Sequence, residues 1–122
     1  MKKIGFLAVV LSAAGAPLSA WAQDQAEGKK LYASYCSSCH GDQGKGDGVA
    51  ARSLPVKPKD HTDSASINQL SDQFLMDVIS KGGAAVGKSS FMPGWGASLN
   101  DKQIRDLVAY IRTLAGAAAT KQ

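Results

Sequence analysis

At 122 residues, 44% hydrophobic and 20% charged, with a formal net charge of +4, the chain has the make-up of a single globular domain. That balance excludes disorder, collagen-like repetition and a disulfide-dense mini-scaffold, and two cysteines with two histidines leave no material for a multi-site metal framework. GxxxxGKS/T, GxGxxG and HExxH are all absent, so no nucleotide-binding or zinc-protease motif competes for attention.

Lys2 and Lys3 open the chain, and an apolar stretch from Ile4 to Ala14 follows, broken only by Gly5 and Ser12. Pro17 then precedes Ala20-Trp21-Ala22, which offers small residues at the first and third positions of an A-x-A cleavage site. This is the three-part organisation of a secretory signal peptide over residues 1–22, cleaved before Gln23. The apolar run is well short of the ~20 residues a helix needs to span a bilayer core, which disfavours an uncleaved anchor. No cysteine lies near the cleavage point to carry a lipid. Cleavage leaves residues 23–122 with 12 basic and 10 acidic side chains, a formal +2. So weak a charge supplies no basic stripe, and no nucleic-acid partner is expected. The expected compartment is the periplasm, where a bare pair of thiols tends to oxidise.

A first helix is expected from about Asp24 to Cys36, rich in Ala, Lys, Glu and Leu. It delivers its C-terminal end to Cys36-Ser37-Ser38-Cys39-His40. In a C-x-x-C-H pentapeptide the two-residue spacer lets both thiols reach the two vinyl groups of one haem, and the adjacent histidine is forced to face the iron. It is the attachment signal of c-type haem. A disulfide across two residues is strained and leaves His40 unexplained, while a thioredoxin-like dithiol wants a preceding strand. A zinc site has to recruit His61, and consecutive Cys39 and His40 suit poorly the well-separated ligand pairs that zinc favours.

From Gly41 to Leu70 runs a long stretch with four glycines, Pro55 and Pro58. A structureless loop of that length counts against a compact domain, unless a large buried cofactor gives its side chains something to pack on. His61, in the polar run Lys59-Asp60-His61-Thr62-Asp63, reads as exposed and solvated. A second helix starts at the N-cap Ser71, carries Leu75, Val78 and Ile79 at helical spacing, and ends at Gly82-Gly83. Met76 beside Leu75 reads as core filler. The segment Ser89–Gly96, containing Met92-Pro93-Gly94-Trp95-Gly96, is an irregular connection that can bring a thioether to the iron from the face opposite His40. Met92 is therefore the first choice of sixth ligand, ahead of Met76, His61, a lysine or an open position. The third helix is the clearest. Asn100 and Gln103 form a variant capping box, and Leu99 and Ile104 a hydrophobic staple. Ile104, Leu107, Val108, Ile111 and Leu114 make its apolar stripe. Gly116 is placed to end it, and residues 117–122 are expected to fray.

With these elements in place, residues 23–122 resemble the class I c-type cytochromes, the small monohaem electron carriers. Gly28 and Tyr32 match that family's glycine–aromatic pair on the N-terminal helix, and Leu107 and Tyr110 the apolar–aromatic pair on the C-terminal one. The run C-S-S-C-H-G-D-Q-G-K-G-D-G resembles its glycine-rich haem loop, and M-P-G-W-G its methionine loop. The resemblance implies an all-α cytochrome c fold, with three main helices and long loops wrapped around one covalently attached haem c per chain. It implies thioether bonds from Cys36 and Cys39, His40 and Met92 as axial iron ligands, and a proline carbonyl, of Pro55 or Pro58, accepting from the His40 ring.

The implied activity is one-electron transfer, and with both axial positions filled no catalysis is expected. The implied partners are transient redox proteins docking on a monomer whose mature chain does not insert into a membrane. Lys45, Lys57, Lys59, Lys81 and Lys88 either surround the docking face or are simply solvated, and Trp95 is expected to cover the haem. One alternative is a dedicated cytochrome subunit of a periplasmic dehydrogenase or reductase complex. Another, a five-coordinate haem binding a small gas or peroxide, is disfavoured by the early position of C-x-x-C-H and by Met92.

Overall fold

A computed structural model describes residues 23–116, so the expected leader and the expected fraying tail lie outside the described residues. Helix α1 covers Gln25–Tyr35, α2 Ser37–His40, α3 Ser64–Ile67, α4 Asp72–Lys81 and α5 Asp101–Leu114, with no strand among the described residues. The fold is all-α.

Each of the three longer helices begins where a side chain satisfies the amides that a first turn leaves bare. The Asp24 carboxylate accepts from the amides of Ala26 and Glu27, and Ser71 Oγ accepts from Phe74 at 3.1 Å. Asn100 and Gln103 make both halves of the expected capping box. Helix α4 stops at Gly82 and α5 just before Gly116, both with positive φ.

Burial follows the predicted stripes. Leu75, Val78 and Ile79 of α4 join Leu31 and Tyr32 of α1 and Ile104, Leu107, Val108 and Ile111 of α5 in one core, with Leu114 partly buried beside them. Helices α1 and α5 form the main interface, and its closest point is Gly28. A Cβ there would overlap the Asp106 carbonyl oxygen and press on the Tyr110 Cβ. One turn on, the Tyr32 ring meets Tyr110 edge to face at 5.2 Å.

Two polar side chains reinforce this frame. Asp106 is fully buried in α5; it accepts from the Asp24 amide and from Lys102 Nζ, each at 2.8 Å. Arg112 donates to Asp72 and to the carbonyls of Ile67 and Leu70, tying α5 to the joint between α3 and α4.

The long connection is less bare than its composition suggests. It holds a 3-10 turn over Val49–Ser53 as well as α3. Its glycine-rich start folds back on α2, with the Gly46 amide donating to the His40 carbonyl at 2.7 Å and that of Gly48 to Cys39 at 3.1 Å.

Candidate functional site

The C-x-x-C-H motif occupies the joint between α1 and α2. Cys36 ends the first helix, donating its amide to the Tyr32 carbonyl, and accepts from His40 one turn later. Cys36 and Cys39 are both partly buried free thiols. Burial, with a smaller push from Cys39, drives the Cys36 thiol up to about 12, so it stays protonated.

His40 is 9% exposed, and its Nδ1 lies 2.9 Å from the Lys59 carbonyl. A carbonyl only accepts, so Nδ1 carries the proton, and in the neutral ring Nε2 keeps its lone pair. Burial lowers the pKa of His40 and so favours that neutral form; the bond to the Lys59 carbonyl pulls the other way but is weaker. The acceptor is not a proline, as the resemblance implies, but the residue after Pro58. The Pro58 carbonyl stands against Gly46, where φ is +76° and a Cβ would overlap the oxygen. With the Pro58 carbonyl turned to Gly46, it is the Lys59 carbonyl that meets His40.

His61 departs most from the sequence reading. It is buried rather than solvated, at 8% exposure. Its ring lies on that of His40, with centroids 4.2 Å apart and planes 17° from parallel, and its Nδ1 lies 2.8 Å from the Tyr32 hydroxyl. Burial first, then His40, brings its pKa down to about 3, so the ring is neutral. Two imidazoles bound across one metal meet it edge-on from opposite sides; rings stacked face to face do not. This arrangement therefore does not make His61 the partner of His40 across an iron. Among the described residues no three His, Cys, Asp or Glu side chains converge to hold a bare metal ion.

Met92 hangs from the end of α4. Its carbonyl accepts from the Gly83 amide at 3.0 Å, and the amides of Trp95 and Gly96 donate to Ile79 and Ser80 at 2.8 and 2.9 Å. These backbone bonds hold the whole M-P-G-W-G segment, with Met92 partly buried against the core. Trp95 packs edge to face on Tyr35, next to Cys36, at 5.2 Å. Met76 is partly buried against the same core. Of the five lysines singled out, Lys59 is bonded to Ser66 and Lys81 is paired with Asp77 at 3.0 Å, while Lys45, Lys57 and Lys88 are exposed.

The donor set fits a c-type haem. Two free thiols stand three residues apart on one turn, beside a buried imidazole with one nitrogen engaged and one available. No helix among the described residues is long and apolar enough to cross a membrane.

Comparison with known proteins agrees on the cofactor class. Residues 23–111 match the family described as cytochrome c oxidase, cbb3-type, subunit III. The chain is 32% identical over 94 residues to the cbb3-type cytochrome c oxidase subunit FixP of Bradyrhizobium diazoefficiens. It is 33% identical over 100 residues to the subunit CcoP of an Azospirillum species. These alignments take in 76% and 75% of this chain but only 28% and 29% of the relatives, so the chain spans less than a third of their length. Among solved structures, the reducing HAO-like protein complex Kustc0457/Kustc0458 of Kuenenia stuttgartiensis superposes with a TM-score of 0.59 at 28% identity, over 72% of this chain and 41% of that one. The KustC0563 c-type cytochrome shares the fold, with a TM-score of 0.58 at 23% identity over 71% of this chain and 95% of that one.

One expectation is overturned by these relatives. A solitary monomer meeting its partners transiently is not what they are: FixP and CcoP are named as subunits of an oxidase. A subunit keeps its neighbour beside it, so its electrons need no diffusional encounter.

Proposed function

The chain belongs to the family described as cytochrome c oxidase, cbb3-type, subunit III, and from that premise we propose that it is a dedicated cytochrome subunit of a larger periplasmic redox complex, relaying single electrons without itself transforming a substrate. In this reading residues 1–22 are removed before Gln23, and residues 23–122 form one haem-carrying domain.

The haem c that this family carries supplies a one-electron ferric–ferrous couple. Cys36 and Cys39 hold it through thioether bonds, and His40 offers Nε2 to the iron. The Lys59 carbonyl holds the other ring nitrogen, which fixes the tautomer and strengthens the imidazole as a donor. Met92 would offer its thioether from the segment laced to α4, and a histidine–methionine ligand pair would favour the ferrous state. The apolar core excludes water and pushes the same way, because the ferric centre carries the larger charge. The observation that carries this reading is the buried His40 ring, its Nδ1 occupied, beside two free thiols.

Visible spectra of ferric and ferrous protein, made with haem-attachment machinery, test the ligands. Wild type is expected to be low-spin with a weak far-red sulfur–iron band that Met92→Ala loses; identical spectra would remove Met92 from the iron. For the subunit reading, a tagged chain is expected to elute from a gentle extract in a particle far larger than itself. Elution at its own size overturns that part.

A further inference from the structure

The reading above gives His61 no task, yet the fold buries this polar side chain within the site. Three contacts fix it. Its backbone amide donates to the Gly44 carbonyl at 2.7 Å, its Nδ1 meets the Tyr32 hydroxyl at 2.8 Å, and its ring covers the face of His40 at 4.2 Å. Tyr32 is itself 1% exposed and wedged against Tyr110. A leucine fills such a space without the cost of burying a polar ring, but it offers neither a flat face nor a hydrogen bond. The bond from His40 to the Lys59 carbonyl pins one ring atom and leaves the ring free to rock about that contact. A second flat ring against its face removes that motion.

We propose that His61 is a positioning residue for His40, setting the plane of the imidazole that faces the iron, with Tyr32 as its anchor. The inference rests on His40 being an axial ligand, as proposed above. The plane of such a ligand governs how its π orbitals overlap those of the iron. It therefore shows in the ferric g-values and in the spread of the hyperfine-shifted haem methyl resonances, neither of which follows from stability alone.

The test compares haem-loaded wild type, His61→Leu, His61→Phe and Tyr32→Phe by electron paramagnetic resonance and proton NMR, with His40→Gly as a control. His61→Leu is expected to shift the g-values and alter the methyl spread. His61→Phe keeps a flat face but loses the bond to Tyr32, so it and Tyr32→Phe are both expected to fall between His61→Leu and wild type. If His61→Leu loses thermal stability while its spectra match wild type, His61 only packs and the proposal is overturned. If His40→Gly itself retains the wild-type low-spin signal, the ligand assignment falls, and this inference with it.

Discussion

At position 28 the two main helices come so close that a methyl group has no room. Gly28→Ala must push α1 off the Asp106 carbonyl, and overpacking of that kind typically costs about 1–3 kcal/mol. The expected result is a lower urea midpoint for the haem-loaded protein with an unchanged visible spectrum. The C-x-x-C-H motif was legible because it announces itself locally, by residue type and spacing; Gly28 was legible only through the resemblance, as half of the family's glycine–aromatic pair. Three other residues were not. His61 sits in a polar run and reads as solvated, but its burial comes from Tyr32, 29 positions earlier. Asp106 interrupts an apolar helix face, and beside Lys102 it is bonded to the Asp24 amide, 82 positions away. The Lys59 carbonyl belongs to a residue whose side chain suggests only surface, since backbone acceptors carry no signature in the sequence.

Among the elements, α4 and α5 were legible at both ends because an N-cap is written within four residues of each start and a glycine follows each end. Asn100→Ala removes the half of the α5 box in which the side chain accepts from the Gln103 amide, and is expected to cost about 1 kcal/mol, read from denaturant unfolding. Helix α1 gives a pH signature. The amides of Glu27 and Ala26 hold the Asp24 carboxyl below its ordinary range, with desolvation opposing them only in part. A carboxylate with a depressed folded pKa contributes its stability above the ordinary value near 4, and that contribution is lost as the pH falls below it. Wild type should therefore lose stability on acidification more steeply than Asp24→Ala, a difference that thermal unfolding from pH 6 down to 3 would show. Helix α3 and the 3-10 turn at Val49–Ser53 escaped notice because four or five residues are too few for a hydrophobic period. For α3 a signal did exist, in the Asp63 side chain that accepts from the Ser66 amide.

For the molecule as a whole, assembly and folding should separate experimentally. Phe91, next to Met92, is 58% exposed and contributes little to the core. Phe91→Ser is expected to leave unfolding stability within about 0.5 kcal/mol, while reducing the fraction of chain that elutes in the large particle. Equal retention would place the permanent neighbour elsewhere on the surface. The fold class was legible because three helical stretches and one cofactor motif together carried a family resemblance; the state of assembly was not, since an exposed side chain reads the same whether water or a neighbour covers it. The bond between the Asp24 amide and Asp106 has a different consequence. It sets the start of α1 against the middle of α5, only ten residues before Gly116, which at 1.5 Å per residue is roughly 15 Å. Entry and exit of the domain therefore lie close together. A unit with adjoining ends behaves as a cassette: it can be spliced into a longer polypeptide without pulling its helices apart.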